Sequence, residues 1–172
     1  MFIVLMGYMG SGKSTLGRLL GNELGYSFVD FDEYIEEKQR MSVPQIFDQK
    51  GEIYFRKLER QYLMEILGER GDQIVSLGGG TPCYGDNMGL IKKSSAKSVY
   101  LNVPVAELSA RLWEARKHRP LLKHQDAPEK LEEFVRKHLF ERSFYYNQAD
   151  IKISAEGKSE LELLSELKSH LL

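Results

Sequence analysis

The chain begins Met1-Phe-Ile-Val-Leu-Met-Gly-Tyr-Met-Gly-Ser-Gly-Lys-Ser-Thr15. The apolar run from Phe2 to Met6 predicts a buried strand, and residues 7–14 that follow it have the spacing G-x-x-x-x-G-K-S. A helical pattern begins directly afterwards. A strand, a glycine loop and a helix in this order are typical of a phosphate-binding loop, which the alternative of a flexible turn with a surface lysine does not explain.

Each part of this loop suits a nucleoside triphosphate. Glycines let backbone N–H groups approach phosphate oxygens, and the start of the next helix attracts an anion. Lys13 can reach the β- and γ-phosphates, and the Ser14 hydroxyl can coordinate Mg²⁺. The loop therefore predicts the phosphate donor and leaves the acceptor open. The predicted phosphate-binding residues are Gly10, Ser11, Gly12, Lys13, Ser14 and Thr15.

Beyond the loop, short apolar segments alternate with helical patterns. Strands are predicted at 2–6, 27–31, 74–77, 98–101 and 150–153. This alternation predicts a five-stranded parallel sheet covered on both faces, a three-layer α/β/α fold of the P-loop NTPase class. Patterns of a capping box at Ser42–Gln45 and at Asp126–Glu129 predict the starts of two helices.

The length and composition indicate one domain with small-molecule ligands. The 172 residues include 24 basic and 25 acidic ones, a net charge of −1, which argues against bulk nucleic-acid binding. The single cysteine, Cys83, excludes an intramolecular disulfide and is typical of a reducing compartment. The sequence has no apolar stretch of membrane-spanning length. We expect a cytoplasmic monomer without a nucleic-acid or membrane partner.

Two carboxylates lie at the end of the second predicted strand, in Asp30-Phe31-Asp32. Because side chains two residues apart in a strand point to the same face, both carboxylates can address one site. One carboxylate could then serve Mg²⁺, and the other could accept or orient the proton of an acceptor hydroxyl. The alternative is that the two aspartates cap the helix that begins near Glu33.

A second motif includes Phe47 and runs through Phe55-Arg56-x-x-Glu59. Arg56 and Glu59 are three residues apart and share a helix face. An arginine between aromatic side chains suits a small anion that carries a carboxylate. The alternative is an exposed ion pair beside two core phenylalanines.

Three further features lie near predicted strand ends or late in the chain. Gly78–Gly80 follow a buried strand and would let a substrate lie against the backbone, although a flexible turn would look the same. A basic segment that includes Arg119 could neutralise a transferring phosphate, or could be a solvated charge run. Arg142 is the last cationic candidate and could instead be a helix-end arginine.

In this order and over nearly the whole chain, these motifs resemble those of the shikimate kinases. The resemblance rests on the motifs Gly7–Thr15 with Gly17, Asp30-x-Asp32, Phe47 to Glu59, Gly78–Gly80, Arg119-Pro-Leu-Leu122 and Glu141-Arg142-x-x-x-Tyr146. It implies a nucleoside-monophosphate-kinase-like fold. It also implies Mg²⁺-dependent transfer of the γ-phosphate of ATP to the 3-hydroxyl of shikimate, in chorismate and aromatic amino-acid biosynthesis.

The resemblance also implies a division of labour within a single kinase domain spanning residues 1–172. A substrate-binding insertion would occupy about 33–60 and a mobile lid about 114–127. On the donor side, Lys13 would hold phosphates, Ser14 would coordinate Mg²⁺ and Asp30 would contact the metal through water. Asp32 would orient or deprotonate the attacking hydroxyl, and Arg119 would close over the phosphates.

On the acceptor side, the resemblance implies that Arg56, Arg142 and the Gly79 amide hold the substrate and that Glu59 braces Arg56. The remaining residues assigned to this side are Phe47, Phe55, Gly78 and Gly80.

The sequence departs from the family at Thr81-Pro82-Cys83-Tyr84, where smaller residues are usual, so the pocket floor there is expected to differ. Arg111 and Arg116 both approximate the position of an adenine-stacking arginine. Two other functions stay open on sequence grounds, a related small-metabolite kinase such as a gluconate kinase and a nucleotide-binding module without catalysis.

Overall fold

The fold is built on a parallel sheet whose strands match the sequence pattern to within two residues. The computed structural model describes residues 1–172, with the side chain of Pro120 excepted. The strands are β1 (Phe2–Met6), β2 (Ser27–Asp30), β3 (Gln73–Ser76), β4 (Lys97–Asn102) and β5 (Ile151–Ser154). They lie in the order β2-β3-β1-β4-β5, and every neighbouring pair is parallel. The predicted five-stranded parallel sheet is confirmed.

Eight α-helices connect and cover these strands. They are α1 (Lys13–Leu24), α2 (Phe31–Gln39), α3 (Val43–Lys50), α4 (Glu52–Leu67), α5 (Asn87–Lys93), α6 (Val105–Ala115), α7 (Pro128–Tyr146) and α8 (Glu160–Leu171). Short 3₁₀ turns span Thr81–Cys83, Arg116–His118 and Pro120–Leu122. Within the described part of the chain, the helices are all too short or too polar to traverse a lipid bilayer.

The central strand explains why the phosphate loop is held firmly. All five residues of β1 are buried, as a strand covered by helices on both faces requires. Helix α1 packs closely on the sheet at Gly17, where an added Cβ would lie 2.4 Å from Phe28 and 3.0 Å from Leu5. The loop between β1 and α1 is therefore fixed at both ends by the core.

The second strand ends earlier than the sequence predicts. Asp30 closes β2, and its Oδ1 atom accepts hydrogen bonds from the backbone N–H groups of Asp32 at 3.1 Å and Glu33 at 3.3 Å. Asp32 therefore lies in the first turn of α2, and the prediction that both aspartates point to the same face of one strand is wrong. The capping alternative is correct for Asp30, because its side chain satisfies N–H groups that have no partner within the helix.

One of the two predicted capping boxes is present. Ser42 and Gln45 bond reciprocally at 3.2 and 2.9 Å at the start of α3. The box predicted at Asp126 is wrong, because α7 begins at Pro128 after an N-cap residue, Ala127, that has no side-chain cap. Asp126 instead forms an ion pair with Lys130 at 3.0 Å.

The segments predicted as insertions have different structures. Residues 33–60 form most of α2, all of α3 and the first half of α4, and these helices bury Ile35, Ile46 and Phe55. Residues 114–127 consist mainly of short turns between α6 and α7. Both segments border the carboxyl edge of the sheet, where α/β proteins bind ligands.

Candidate functional site

The phosphate loop has the backbone shape that its glycines allow. Gly10 and Gly12 have φ angles of 76° and 91°, which residues with a Cβ rarely adopt. Gly12 caps α1, so the first N–H groups of that helix open into the loop. The positive end of the helix and these free donors make the loop an anion-binding site.

Lys13 is folded into the loop that it belongs to. Its ammonium group donates hydrogen bonds to the carbonyl oxygens of Gly7 at 2.9 Å and Tyr8 at 3.0 Å, and the residue is only 8% exposed. Burial lowers its pKa to about 8, although the nearby Asp32 carboxylate acts in the opposite direction. A buried ammonium group favours an anionic neighbour, which a phosphate group would supply.

A cavity of ≈ 380 Å³ opens directly onto this loop, and we call it the donor cavity. It brings together most of the residues predicted to bind phosphate. Ser11 is the exception, since its side chain is buried beneath the loop with its Oγ atom 3.4 Å from Lys13 Nζ. The lining residues are Met9, Gly10, Gly12, Lys13, Ser14, Thr15, Asp30, Asp32, Ser76, Leu77, Gly78, Gly79 and Arg119.

Three oxygen-bearing side chains meet at one wall of the donor cavity. Ser14 Oγ donates to Asp30 Oδ2 at 2.7 Å and lies 3.2 Å from Ser76 Oγ. Among the described residues, no cluster of three or more His, Cys, Asp or Glu side chains could hold a metal ion by itself. Two or three oxygen ligands that depend on phosphates and water to complete the shell are what Mg²⁺ usually has in nucleotide sites, so these residues fit Mg²⁺.

Asp32 stands between the donor cavity and a second, larger one. Burial, together with the nearby carboxylates of Asp30 and Glu59, raises the pKa of Asp32 to about 6 against the opposing charge of Lys13. Its Oδ1 atom lies 2.7 Å from where a Cβ on Gly78 would be, so a side chain at position 78 would displace the Asp32 carboxylate. A carboxylate with a pKa close to neutral can accept a proton and release it again.

The second cavity, of ≈ 1080 Å³, is bordered by α3, α4 and α7, and we call it the acceptor cavity. It shares only Met9, Asp32 and Arg119 with the donor cavity. The other lining residues are Val43, Pro44, Phe47, Asp48, Glu52, Arg56, Tyr84, His118, Leu121, Phe134, Lys137, His138, Glu141 and Arg142.

Arg56 is held on one wall of the acceptor cavity by Glu59. The guanidinium NH1 group donates to Glu59 Oε1 at 2.8 Å, and Glu59 Oε2 accepts from the Thr81 hydroxyl at 2.7 Å. Glu59 is 1% exposed, so this is a buried pair and not the surface pair that spacing alone allowed. Of the two predicted aromatic residues, Phe47 lines the cavity and Phe55 is buried behind it, with ring centroids 4.6 Å apart.

Arg142 reaches the same wall from α7. It is 8% exposed and has no ion pair among the described residues, in contrast to Arg56. Its NH1 and NH2 groups lie 3.1 and 3.3 Å from the positions that a Cβ on Gly79 and on Gly80 would occupy. A buried guanidinium group without a carboxylate partner favours an anion from a ligand.

The basic residues in and near segment 114–127 contact different parts of the molecule. Arg119 lines both cavities. Arg111 donates to the carbonyl oxygen of Gly10 at 3.1 Å, so its guanidinium group lies against the phosphate loop. Arg116 stacks on the Trp113 ring, with its Cζ atom 3.6 Å from the centroid. Of the two candidates for stacking on adenine, Arg111 is therefore the one beside the donor cavity.

Two residues of the site have no assigned role in the sequence analysis. The Tyr84 ring lies 3.6 Å from Arg56 Cζ and lines the acceptor cavity. His138 lines the same cavity and bonds through Nδ1 to the Tyr8 hydroxyl at 2.8 Å. For Tyr84, the unusual residues after the triple glycine were a usable signal. For His138 there was none, because its position depends on how α7 packs.

Cys83 lies near the glycine run, and its thiol is unreactive at neutral pH. Burial raises the pKa of its thiol to about 11, so the thiol stays protonated at neutral pH. No metal-binding cluster includes it within the described residues.

Comparison with known proteins agrees with this geometry. A model of the shikimate kinase family matches residues 9–172. The shikimate kinase of Flavobacterium johnsoniae is 44% identical over 157 residues, 91% of each chain. The crystal structure of shikimate kinase from Bacteroides thetaiotaomicron superposes with a TM-score of 0.89 at 36% identity, covering 98% of this chain and 97% of that one.

A further solved structure is shikimate kinase from Acinetobacter baumannii in complex with shikimate, with a TM-score of 0.87 at 32% identity over 98% of this chain and 91% of that one. These matches confirm the predicted P-loop NTPase fold and the predicted enzyme class, a kinase that transfers phosphate from ATP to an alcohol group. Since the family model and the curated relatives cover nearly the whole chain, the chain belongs to the shikimate kinase family.

Proposed function

We propose that the chain transfers the γ-phosphate of ATP to the 3-hydroxyl of shikimate and releases ADP and shikimate 3-phosphate, a step of chorismate and aromatic amino-acid biosynthesis. The observation that carries this proposal is the meeting of the donor and acceptor cavities at Asp32 and Arg119. Phosphoryl transfer requires the two reactants in line with little intervening space, and this junction provides that arrangement. Membership of the shikimate kinase family supports the same reaction.

On the donor side, we assign the triphosphate to the donor cavity. The loop N–H groups around Gly10 and Gly12 would bind phosphate oxygens, together with those of Ser14 and Thr15. Lys13 would exchange its bonds to the loop carbonyls for bonds to the β- and γ-phosphates. Arg111, beside Gly10, would stack on the adenine.

Ser14 would coordinate Mg²⁺, with Asp30 and Ser76 bonded to its water shell. When bound, the ion neutralises charge on the β- and γ-phosphates. The Ser14–Asp30 hydrogen bond at 2.7 Å already holds the hydroxyl oxygen in place at the cavity wall.

On the acceptor side, we assign the shikimate carboxylate to Arg56 and Arg142, which approach Gly80 from two different helices. Two arginines on one carboxylate give strong charge-assisted bonds, and the acid would supply the ion-pair partner that Arg142 lacks. The N–H group of Gly79 would donate to the ligand. Phe47 would contact the ring of the acid, with Phe55 supporting it from behind.

Asp32 would bond to the attacking hydroxyl. With a pKa of about 6, it is ionised in most molecules at pH 7 and can take the hydroxyl proton as the new O–P bond forms. Arg119 would bond to the transferring phosphoryl group and neutralise charge that develops on its oxygens. In this scheme the substrate-binding insertion is residues 33–60 and the lid is residues 114–127, in a monomer.

The test is turnover of ATP with several acceptors measured side by side. Release of ADP, coupled to NADH oxidation, should depend on shikimate and on Mg²⁺, and chelation with EDTA should abolish it. Gluconate and nucleoside monophosphates serve as matched acceptors for the related kinases. If ADP release were equal with gluconate, or absent with shikimate, the assignment of the acceptor would be wrong.

A further inference from the structure

The acceptor-side arginine is held by more than its carboxylate partner. The Tyr84 ring lies flat enough against Arg56 for the guanidinium carbon to be 3.6 Å from the ring centroid. The rings of Phe55 and Phe47 are farther away, at 5.3 and 5.9 Å. Tyr84 is thus the aromatic residue in direct contact with Arg56, at the distance of a stacked cation–π pair.

The same tyrosine belongs to a closed ring of contacts that begins and ends at Arg56. Arg56 bonds to Glu59 at 2.8 Å, and Glu59 bonds to the Thr81 hydroxyl at 2.7 Å. Thr81 and Tyr84 begin and follow one 3₁₀ turn, and the buried Asn87 fixes that turn by donating to the Thr81 carbonyl at 2.8 Å. The edge of the guanidinium group is therefore held by Glu59 and its face by Tyr84, and one short segment of chain supplies both Tyr84 and the Thr81 hydroxyl that anchors Glu59.

In the described part of the chain, the hydrogen bond to Glu59 engages only the NH1 group of Arg56, so the plane of the guanidinium group needs further support. Its Nε atom is buried and has no hydrogen-bond partner among the described residues, since Glu52 lies 3.7 Å away. A second guanidinium group, that of Arg142, approaches the same Gly80. Like charges at close range disfavour the empty pocket, and the negative face of an aromatic ring offsets part of that repulsion.

We propose, on the basis of the function proposed above, that Tyr84 is a positioning residue that sets the affinity for the acceptor acid by holding the plane of Arg56. Its π face performs this role, because no hydrogen bond of its hydroxyl group is found among the described residues. Tyr84 lies in the segment Thr81–Tyr84, whose larger residues distinguish it from the small residues expected after the triple glycine.

The experiment is steady-state kinetics of four variants at position 84. Tyr84→Leu and Tyr84→Met remove the π face and keep an apolar side chain. We expect each to raise KM for shikimate roughly tenfold, which corresponds to about 1.4 kcal/mol, because the cation–π contact with Arg56 is lost. KM for ATP should change less than about twofold, since the donor cavity does not include the residue. Tyr84→Phe and Tyr84→Trp retain a π face and should restore most of the lost affinity.

Tyr54→Leu is the matched control. Tyr54 lies on α4, is exposed, and has Lys50 at 5.9 Å from its ring, so it is an aromatic residue near a cation outside both cavities. The Tyr54→Leu variant should leave the KM for shikimate and the KM for ATP unchanged. In the Arg56→Ala background, Tyr84→Leu should have little further effect on kcat/KM, because the tyrosine acts through the arginine.

The outcomes separate this proposal from the proposed function. If wild-type protein neither binds nor phosphorylates shikimate, the function is wrong. If wild type binds shikimate by calorimetry and Tyr84→Leu binds equally well, the role of Tyr84 is wrong. The role is also excluded if Tyr84→Phe is as impaired as Tyr84→Leu, if the two KM values rise together with a loss of Tm, or if the effects of Tyr84→Leu and Arg56→Ala are additive.

Discussion

At the scale of single residues, the raised pKa of Asp32 affects both catalysis and stability. Its pKa of about 6 lies above the ordinary value of 3.8, because the folded protein disfavours the ionised form. This shift makes the carboxylate a usable base near neutral pH. It also means that ionised Asp32 lowers the stability of the folded protein. Such a loss of stability is common at functional sites, where side chains have perturbed pKa values.

We therefore expect Asp32→Asn to reduce kcat by about 10²–10⁴ while increasing the free energy of unfolding at pH 7. Because the folded-state pKa is raised, the stability contributed by the neutral carboxyl group is fully present below the unfolded pKa of 3.8 and is lost as pH rises through 6. Asparagine cannot ionise, so the variant does not lose this stability. Urea unfolding at pH 7 and pH 5 measures the effect, and the difference between the proteins should be smaller at pH 5.

ADP binding by the variant, measured by calorimetry, is the control and should be nearly unchanged. The kcat of wild type should also fall as pH decreases below about 6, and the residual activity of the variant should lack that limb. Undiminished turnover in Asp32→Asn would exclude Asp32 as the group that takes or orients the hydroxyl proton.

At the scale of elements, one hydrogen bond joins the phosphate loop to α7. The buried Tyr8 hydroxyl meets His138 Nδ1 at 2.8 Å, and the rings pack edge to face at 5.4 Å. Burial, together with the charge of Arg142, lowers the pKa of His138 to about 4. His138 is therefore neutral at pH 7 and can accept the Tyr8 hydrogen at Nδ1, which ties the donor-binding loop to the helix that carries Arg142.

We expect His138→Leu to destabilise the protein by about 1–3 kcal/mol at pH 7, because it leaves the Tyr8 hydroxyl buried without a partner. Tyr8→Phe in the same background should recover part of that loss. Because the folded-state pKa of His138 is depressed, its contribution is full above pH 6.5 and declines as pH falls toward 4. Urea unfolding of the three proteins between pH 7.5 and pH 5 measures both effects.

An equal free energy of unfolding for wild type and His138→Leu at pH 7 would contradict the proposed tie. So would a double variant that is less stable than His138→Leu. The comparison is made between proteins at each pH, so that the opposite trend from Asp32 cancels.

The elements were more predictable than their ends. Hydrophobic patterns found all five strands. In the three inner strands, β1, β3 and β4, burial on both faces accounts for the apolar pattern, whereas the edge strands β2 and β5 are only partly buried. Boundaries failed where a polar residue had two possible roles. Asp30 ends β2 by capping α2, and Asp126 pairs with Lys130 where a cap was expected. Both choices depend on which backbone N–H groups remain free, and the sequence does not show that.

The site residues also differ in whether local spacing or tertiary packing places them. Lys13, Ser14 and the Arg56–Glu59 pair follow from spacing along one element, and the structure brings them to the cavities. Tyr84 and His138 reach the acceptor cavity only through the packing of distant segments. The need for glycine at 78–80 is similarly tertiary, since the space of each missing Cβ is bordered by Asp32, Arg142 or Arg56.

At the scale of the whole molecule, Trp113 can report whether residues 114–127 move, as the proposed role of a lid requires. Trp113 is the only tryptophan in the sequence and lies in α6 just before the lid. Its half-buried ring is stacked on Arg116 at 3.6 Å. Closure of residues 114–127 over a nucleotide would change the position of Arg116 and with it the environment of the indole.

We therefore expect the intrinsic tryptophan fluorescence to change when ADP and Mg²⁺ bind. Shikimate alone should cause a smaller change, because the helix that carries Trp113 contacts the phosphate loop through the bond from Arg111 to Gly10. Fluorescence titration measures this, with calorimetry to establish saturation. Arg116→Ala should alter the starting emission and reduce the response, while Arg18→Ala, a change at an exposed arginine on α1, is the control. Unchanged emission at saturating nucleotide would exclude this segment as a lid that moves Arg116.

The narrow border between the two cavities also has a pharmacological consequence. An inhibitor that joins a nucleotide to an acid through one linker must pass the three shared residues, Met9, Asp32 and Arg119. Such a linker meets a carboxyl group with a pKa of about 6 and a guanidinium group. A linker that offers a hydrogen-bond donor to the first and an anionic oxygen to the second would match both. Its chemistry, more than that of either end, would then determine how tightly a bisubstrate inhibitor binds.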